Sequence, residues 1–374
     1  LGQFEKAEEI GLKAEITAKV LDDRARLGIT YLGLGTAYVY RGNFKETERY
    51  SLQAIKYLEG TIEERELAIA NLVLGACYIG QGLWRKSEPR FTKAMTAYEK
   101  LNRKTEYVMG WNALPYTILC GQLGYNLGIM GRIAEGKELF ERGYKSELEQ
   151  VSNLTTKMAY CSWQGLFISL VGEDNFGAVA KIDQLVELAE KSDSPFMILV
   201  FSVAKANVML AMENFKAVIT ASQKALKTIE GKSIRTGHVI NLYYDLVRAE
   251  LELGDLESAK QHYKEGRQLV ELSPNWWTPR FDFLQGLLLM MKPRPDYTQA
   301  EACFQKSIQV DEEVSAVVPA AQTRFYVARM FACKGEVGRT REMLTELISN
   351  FQRWDIPVWL KRCEKELDAL TSLE

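Results

Sequence analysis

The chain of 374 residues predicts an all-α solenoid of helical hairpins. Three observations predict it. Turn glycines recur at a nearly fixed period: Gly2, Gly42, Gly82, Gly131, Gly172, Gly254 and Gly335 are separated by 40, 40, 49, 41, 82 and 81 residues. Each turn is followed by a large apolar residue and, three positions on, by a mostly small one. Seven residues before the turn a further glycine often stands, at Gly35, Gly75, Gly124 and Gly165, with Gly286 in the matching place. A period of this length is the signature of stacked supersecondary units.

The elements follow in order. At the start, Gly2, Phe4, Ala7 and Ala14 match Gly42, Phe44, Thr47 and Ala54 at an offset of 40, so residues 1–20 read as the second helix of a hairpin. The first full hairpin is "LGTAYVYRGNFKETERYSLQA", Leu34 to Ala54. Leu34 and Tyr38 are four apart, and Thr47, Ser51 and Ala54 fall at steps of four and three. Those are neighbours on one helix face. Gly42 ends the first helix, because positive φ costs glycine little. The second hairpin, "LGACYIGQGLWRKSEPRFTKA" (Leu74 to Ala94), repeats the pattern. In it Pro89 lies early in a helix and is tolerable only near the first turn.

The third unit is the longest and contains the extra "EYVMGWNALPYTI". The fourth, around "VGEDNF", has two extra residues. In the double steps two turns lack glycine, near Glu213 ("AMENF") and Pro293 ("KPRPDY"). The large apolar residues after the later turns are Ile133, Phe215, Leu256, Tyr297 and Val337; the small ones are Gly136, Val218, Ala259, Ala300 and Thr340. Other prolines (Pro195, Pro274, Pro279, Pro319, Pro357) fall between hairpins, where helices begin or stop. About eight hairpins of ~40 residues fit the length. The division expected is 1–20 half repeat, 21–356 hairpins and 357–374 capping helix, as one repeat domain. One hairpin cannot bury its apolar face alone, so the units must stack.

The pattern L-G-x-x-Y, a turn glycine, a small residue, an aromatic and an alanine resembles the tetratricopeptide repeat, with a unit longer than the usual one. More narrowly, "SDSPFMILVFSVAKANVML", "WWTPRFDFLQGLLLM" followed by "YTQAEACFQKSIQV", and "IPVWLKRCEKELDAL" resemble the C-terminal repeat regions of bacterial signalling proteins with an upstream STAND-type NTPase or adenylate/guanylate cyclase domain. The resemblance covers roughly Leu27 to Leu370. It implies a right-handed superhelix and an upstream domain in the same polypeptide. None of the partner domains' own motifs is present. The half repeat at residues 1–20 likewise leads us to expect more helical repeat upstream. Val358 to Leu370, amphipathic with an outer charged side, suits a cap.

Composition narrows the function. Lys+Arg is 47 against 49 Asp+Glu, a balance that argues against nucleic acid or an anionic membrane as partner. The six cysteines (Cys77, Cys120, Cys161, Cys303, Cys333, Cys363) are scattered and read as small buried hydrophobes of a reducing, cytoplasmic setting. The most apolar stretch, Ser194 to Ala211, is interrupted by Lys205 and Asn207 and is too broken to span a bilayer. "GRIAEGKE" (Gly131 to Glu138) nearly reads as a phosphate-binding loop, yet Glu138 replaces the hydroxyl and both glycines are explained by the repeat. Only His238 and His262 exist, neither at metal spacing with cysteine. No catalytic residue, metal site or cofactor is expected.

What remains is surface. The first helix of each unit should line the concave wall, the usual binding face of a solenoid. Repeat position places Tyr40, Tyr125, Trp163, Asn207, Tyr244, Arg248, Arg280 and Arg329 there. The insertion adds Trp111, Asn112, Pro115 and Tyr116, since insertions in arrays often map to the binding face. Each aromatic could equally be inter-repeat core; Trp276 and Trp277 read as packing at a hairpin junction. The expectation is a sensor or scaffold that binds a protein or peptide. The alternative is a small-molecule sensor with a sugar- or nucleotide-sized ligand inside the superhelix. A long open groove would favour the first, a closed and partly apolar pocket the second.

Overall fold

A computed structural model describes residues 4–102, 113–148, 154–174, 177–232, 237–272 and 275–371. Among them are eighteen helices and no strand. A leading helix, α1 (Phe4–Val20), packs on the first of eight antiparallel pairs. These are α2 (Arg24–Tyr40) with α3 (Phe44–Leu58), α4 (Glu64–Gly80) with α5 (Trp84–Lys100), α6 (Pro115–Ile129) with α7 (Ile133–Leu148), and, touching only loosely because both pack mainly on the following helix, α8 (Leu154–Val171) with α9 (Ala178–Lys191). The series continues with α10 (Pro195–Ala211) and α11 (Phe215–Ile229), α12 (Gly237–Glu252) and α13 (Leu256–Leu272), α14 (Thr278–Met290) and α15 (Tyr297–Glu313), and α16 (Val317–Cys333) and α17 (Val337–Arg353). Helix α18 (Pro357–Thr371) packs on α17 and α16.

The turn residues behave as their chemistry requires. All six expected turn glycines from Gly42 to Gly335 have positive φ. At the glycine-less turn before α11 the left-handed position is taken by Glu213, φ 57°. The polar residue after several turns caps the next helix: Asn43, Asn214 and Asp296 each accept from the backbone N–H three residues on. In the irregular fourth unit Asp174 does this work, its carboxylate accepting from the N–H groups of Ala178 (2.9 Å) and Val179 (2.8 Å).

The periodic small residues are the contact points between paired helices. Thr47, Ser87, Val218, Ala259, Ala300 and Thr340 are all buried. Opposite them three of the helical glycines, Gly75, Gly124 and Gly286, admit an aromatic ring, while Gly35 meets Ser51 and Gly165 the Ala204 backbone. A Cβ on Gly75 would stand 2.4 Å from Phe91, and one on Gly286 2.4 Å from Phe304. Both rings are fully buried. The near-phosphate loop is likewise absorbed by packing. Gly131 is a turn at φ +81°, a Cβ on Gly136 would meet the Gly124 carbonyl at 2.7 Å, and Lys137 pairs with Asp355 (3.3 Å) and Glu173 (3.7 Å).

Two expectations need correction. Pro89 lies within α5 beyond its first turn, and the helix runs on through it. Pro89 is exposed on the outer side, so water can meet the Arg85 carbonyl that loses its helical donor. The cysteines are not uniformly buried: Cys77, Cys120 and Cys363 are, Cys161 and Cys303 are half-buried, and Cys333 is exposed at the end of α16. Burial pushes the Cys77 and Cys363 thiols up to about 12. No helix among the described residues is long and apolar enough to cross a membrane.

The superhelix closes on itself. Its hairpin turns in the first half touch the last third of the chain. The Trp276 N–H donates to the Gly80 carbonyl (3.4 Å), and the indole meets that of Trp84 edge-on at 5.8 Å. Trp354 lies against Gly131, Val358 against Gly172, and Gln322 donates to the Leu170 carbonyl at 2.7 Å. Arg362 pairs with Glu213 at 2.6 Å. The concave wall is thereby wrapped around a central space.

Candidate functional site

That space is a cavity of about 380 Å³, lined by the first helices of successive pairs and by α18. Their inner faces point inward because side chains three and four apart share one helix face. From α6 and α10 come Tyr125 and Asn207, and from α12 come Asn241, Tyr244 and Arg248. Helix α14 adds Arg280 and Phe283, α16 adds Gln322, Tyr326 and Arg329, and α18 adds Trp359 and Arg362. The Trp276–Trp277 corner and Trp84 complete an aromatic side.

The polar groups form two clusters. One is an amide ladder. Asn207 and Asn241 exchange hydrogen bonds in both directions, at 3.0 and 3.3 Å, and Asn241 also donates to Asp245 at 3.0 Å. All three are buried, and burial raises the Asp245 carboxyl well above the usual carboxylate range. The other cluster is cationic. Arg248 donates to the hydroxyls of Tyr244 (3.3 Å) and Tyr326 (2.8 Å). Arg280 donates to Asp311. Burial works against the charge of both. It lowers Arg280; at Arg248 the neighbouring Tyr326, Tyr244 and Glu252 outweigh it and hold the guanidinium above its ordinary value. Arg329 is exposed at the rim, 3.1 Å from Glu366.

The structure thus brings together six of the residues picked out by repeat position: Tyr125, Asn207, Tyr244, Arg248, Arg280 and Arg329. Tyr125 is the most buried of the aromatics among them, with rings of Trp84, Trp163 and Trp276 about it at 6.0, 5.7 and 6.0 Å, and burial raises its phenol. Trp163 stands one layer behind, packed on Tyr125 and against Gly121 of α6. Tyr116 lies elsewhere, buried in the first turn of α6 and hydrogen-bonded to Glu99 (3.1 Å) and Arg142 (2.7 Å) of the flanking second helices. Trp111, Asn112 and the side chain of Tyr40 fall outside the described residues. Pro115 opens α6 and is buried.

Sequence reasoning missed several lining groups. Trp276 and Trp277, whose rings lie 4.1 Å apart, are not only junction packing: they bridge to a turn almost two hundred residues earlier. Asn241 and Tyr326 sit at first-helix positions like those picked out, so their signal was present. Trp359 and Arg362 enter from α18, which charge pattern alone marked as a cap.

No protein-family model matches the chain, and no curated protein matches it in sequence. Solved structures do resemble it. A Rap protein complexed with competence and sporulation factor is 10% identical, with a TM-score of 0.51, covering 93% of this chain and 98% of that one. A signal transduction ATPase with numerous domains (STAND) from Pyrococcus horikoshii, with a tetratricopeptide repeat sensor, is 13% identical, with a TM-score of 0.49. It covers 97% of this chain, which spans 55% of that protein. A Rap conjugation gene regulator of the plasmid pLS20, solved with the Phr* peptide, is 15% identical at a TM-score of 0.43, covering 91% of this chain and 77% of that one. The fold is that of tetratricopeptide-type helical repeats.

Proposed function

We propose that the chain is a non-catalytic recognition module that takes a short peptide segment into the centre of its superhelix. The observation that carries this reading is the amide and aromatic lining of the concave wall; the confinement of the cavity, which by itself favours a small ligand, limits a peptide to a few residues. An extended peptide offers N–H and C=O groups together, and a side-chain amide can answer both. Asn207, Asn241 and Gln322 line the space with that chemistry, and Trp84, Trp276, Phe283 and Tyr326 supply flat apolar surface for side chains. A volume of about 380 Å³ is at the small end for ligand pockets, so a few residues fit and a folded partner does not. A Rap protein of this fold was solved with competence and sporulation factor bound, in keeping with a bound factor on such a scaffold. We read the module as the sensing part of a larger cytoplasmic signalling protein, with its output in an upstream domain.

The same confinement favours a second reading, a sugar- or nucleotide-sized ligand. Thermal unfolding with added ligand separates them. A ligand at a hundred times its dissociation constant stabilises the native state by about 2.7 kcal/mol. Di- to pentapeptides should include sequences that raise the midpoint in proportion to the logarithm of their concentration. Hits confined to sugars or nucleotides would replace the first reading by the second. Stabilisation by a folded protein alone would reject both.

A further inference from the structure

Among the described residues most charges lining the cavity are closely paired, and two cations are not: Lys365 at the rim and the Arg248 guanidinium inside. Arg280 is ion-paired with Asp311, Arg329 with Glu366 and Arg362 with Glu213. Lys365 lines the rim and is exposed. Arg248 differs from all of these. Its nearest carboxylate, Glu252, stands at 3.8 Å, beyond hydrogen-bonding distance. Glu252 is also exposed, where water and salt screen its charge. Two nitrogens of Arg248 are engaged by the hydroxyls of Tyr244 and Tyr326, but its Nε–H is buried with no acceptor. The rings of Phe283 and Tyr326, 5.3 and 5.4 Å from the guanidinium carbon, hold the group in place.

We propose that the ligand carries a single carboxylate, received by the guanidinium of Arg248 as it turns its covered Nε–H toward the cavity, on an apolar body that lies against the neighbouring rings. This rests on the reading that the ligand enters the cavity. A buried donor without an acceptor is costly, and a charged acceptor relieves it most. The charge balance decides the class. One interior cation has its nearest counter-charge at 3.8 Å on an exposed side chain, and a carboxylate brings one negative charge. A phosphomonoester brings 1.5 to 2, which leaves uncompensated charge in a desolvated site. The carboxylate has two possible sources, the C-terminal end of a peptide or a free organic acid.

The test is displacement of 8-anilinonaphthalene-1-sulfonate, a fluorescent aromatic monoanion, from the whole chain. The competitors are matched pairs: 3-phenylpropionate against 3-phenylpropionamide, and an acetylated tripeptide ending in phenylalanine as free acid and as amide. Each acid should displace the probe at a concentration about tenfold or more below that of its amide. Arg248→Gln should remove the difference. Arg248→Lys keeps the charge but lacks the Nε edge, and should remove most of it. If either variant fails to fold, the acid and amide comparison on the wild-type chain still decides. A tripeptide acid stronger than phenylpropionate supports the chain-end form, and the reverse order supports the free acid. Equal displacement by acid and amide, or an acid preference that survives in folded Arg248→Gln, overturns the carboxylate proposal while leaving the cavity as a ligand site. Probe binding that persists unchanged when the cavity is filled by Ala211→Trp, with no competition from any of the four, overturns the cavity reading as well.

Discussion

The two histidines have opposite electrostatic surroundings. Burial beside Phe196 pulls His238 down to about 4, so the imidazole is neutral in the fold. An unfolded histidine titrates near 6.5. Between those values the unfolded chain binds a proton that the native chain does not, so His238 makes stability fall as pH drops from about 6.5 to 4, by on the order of 2–3 kcal/mol. His262 works the other way. Its hydrogen bond to Glu250, 3.0 Å, raises it, so its contribution is complete below pH 6.5 and is lost as pH rises through the folded value. Urea unfolding at pH 4.5 to 7 should show a shallower acid-side loss in His238→Gln and a steeper one in His262→Gln. Matching pH slopes in His238→Gln and wild type would contradict the assignment. Which residues face the cavity was readable only where register carries the information. Asn207, Tyr244 and Arg248 follow from counting along a first helix. Tyr116 does not, because the long third unit starts α6 at Pro115 and places this first-turn side chain toward Glu99 and Arg142.

At the level of elements, glycine positions show which helix contacts were legible. Gly75 and Gly286 belong to the periodic pattern and receive rings of Phe91 and Phe304. Alanine there gains roughly 1 kcal/mol of helix propensity but meets a buried ring, and overpacking costs about 1–3 kcal/mol. The clash wins because Phe91 and Phe304 are enclosed on all sides. Gly33 lies outside the pattern in α2, is exposed, and has nothing within 4 Å of an added Cβ. Chemical denaturation should find Gly75→Ala and Gly286→Ala destabilised, and Gly33→Ala stabilised by about 0.5–1 kcal/mol. Stabilisation of all three would mean that the paired helices are looser than described. The hairpins, their turns and the buried small positions were legible because local spacing dictates them. Pro89 was misjudged because a proline inside a helix costs less where water reaches the freed carbonyl.

At the level of the molecule, closure was not legible. Repeat patterns describe how each unit meets the next, and they are silent on units four or five apart. Trp276 on the Gly80–Trp84 turn, Trp354 on Gly131 and Arg362 with Glu213 are such contacts, and they turn a concave surface into a half-enclosed one. Trp84 and Arg362 belong to the same site only because of this wrapping. An exposed ion pair such as Arg362–Glu213 contributes about 0–1 kcal/mol, so closure depends more on the aromatic contacts. Recognition inside the wrapped superhelix is tested most directly by calorimetric titration of a ligand found by thermal shift against Ala211→Trp. Ala211 lines the cavity at the end of α10, half-buried at the edge of a core cluster, so an indole there is directed to fill the space. The filled variant should keep wild-type helicity and lose binding by about a hundredfold, close to 2.7 kcal/mol; wild-type affinity in the folded variant would contradict recognition inside the superhelix.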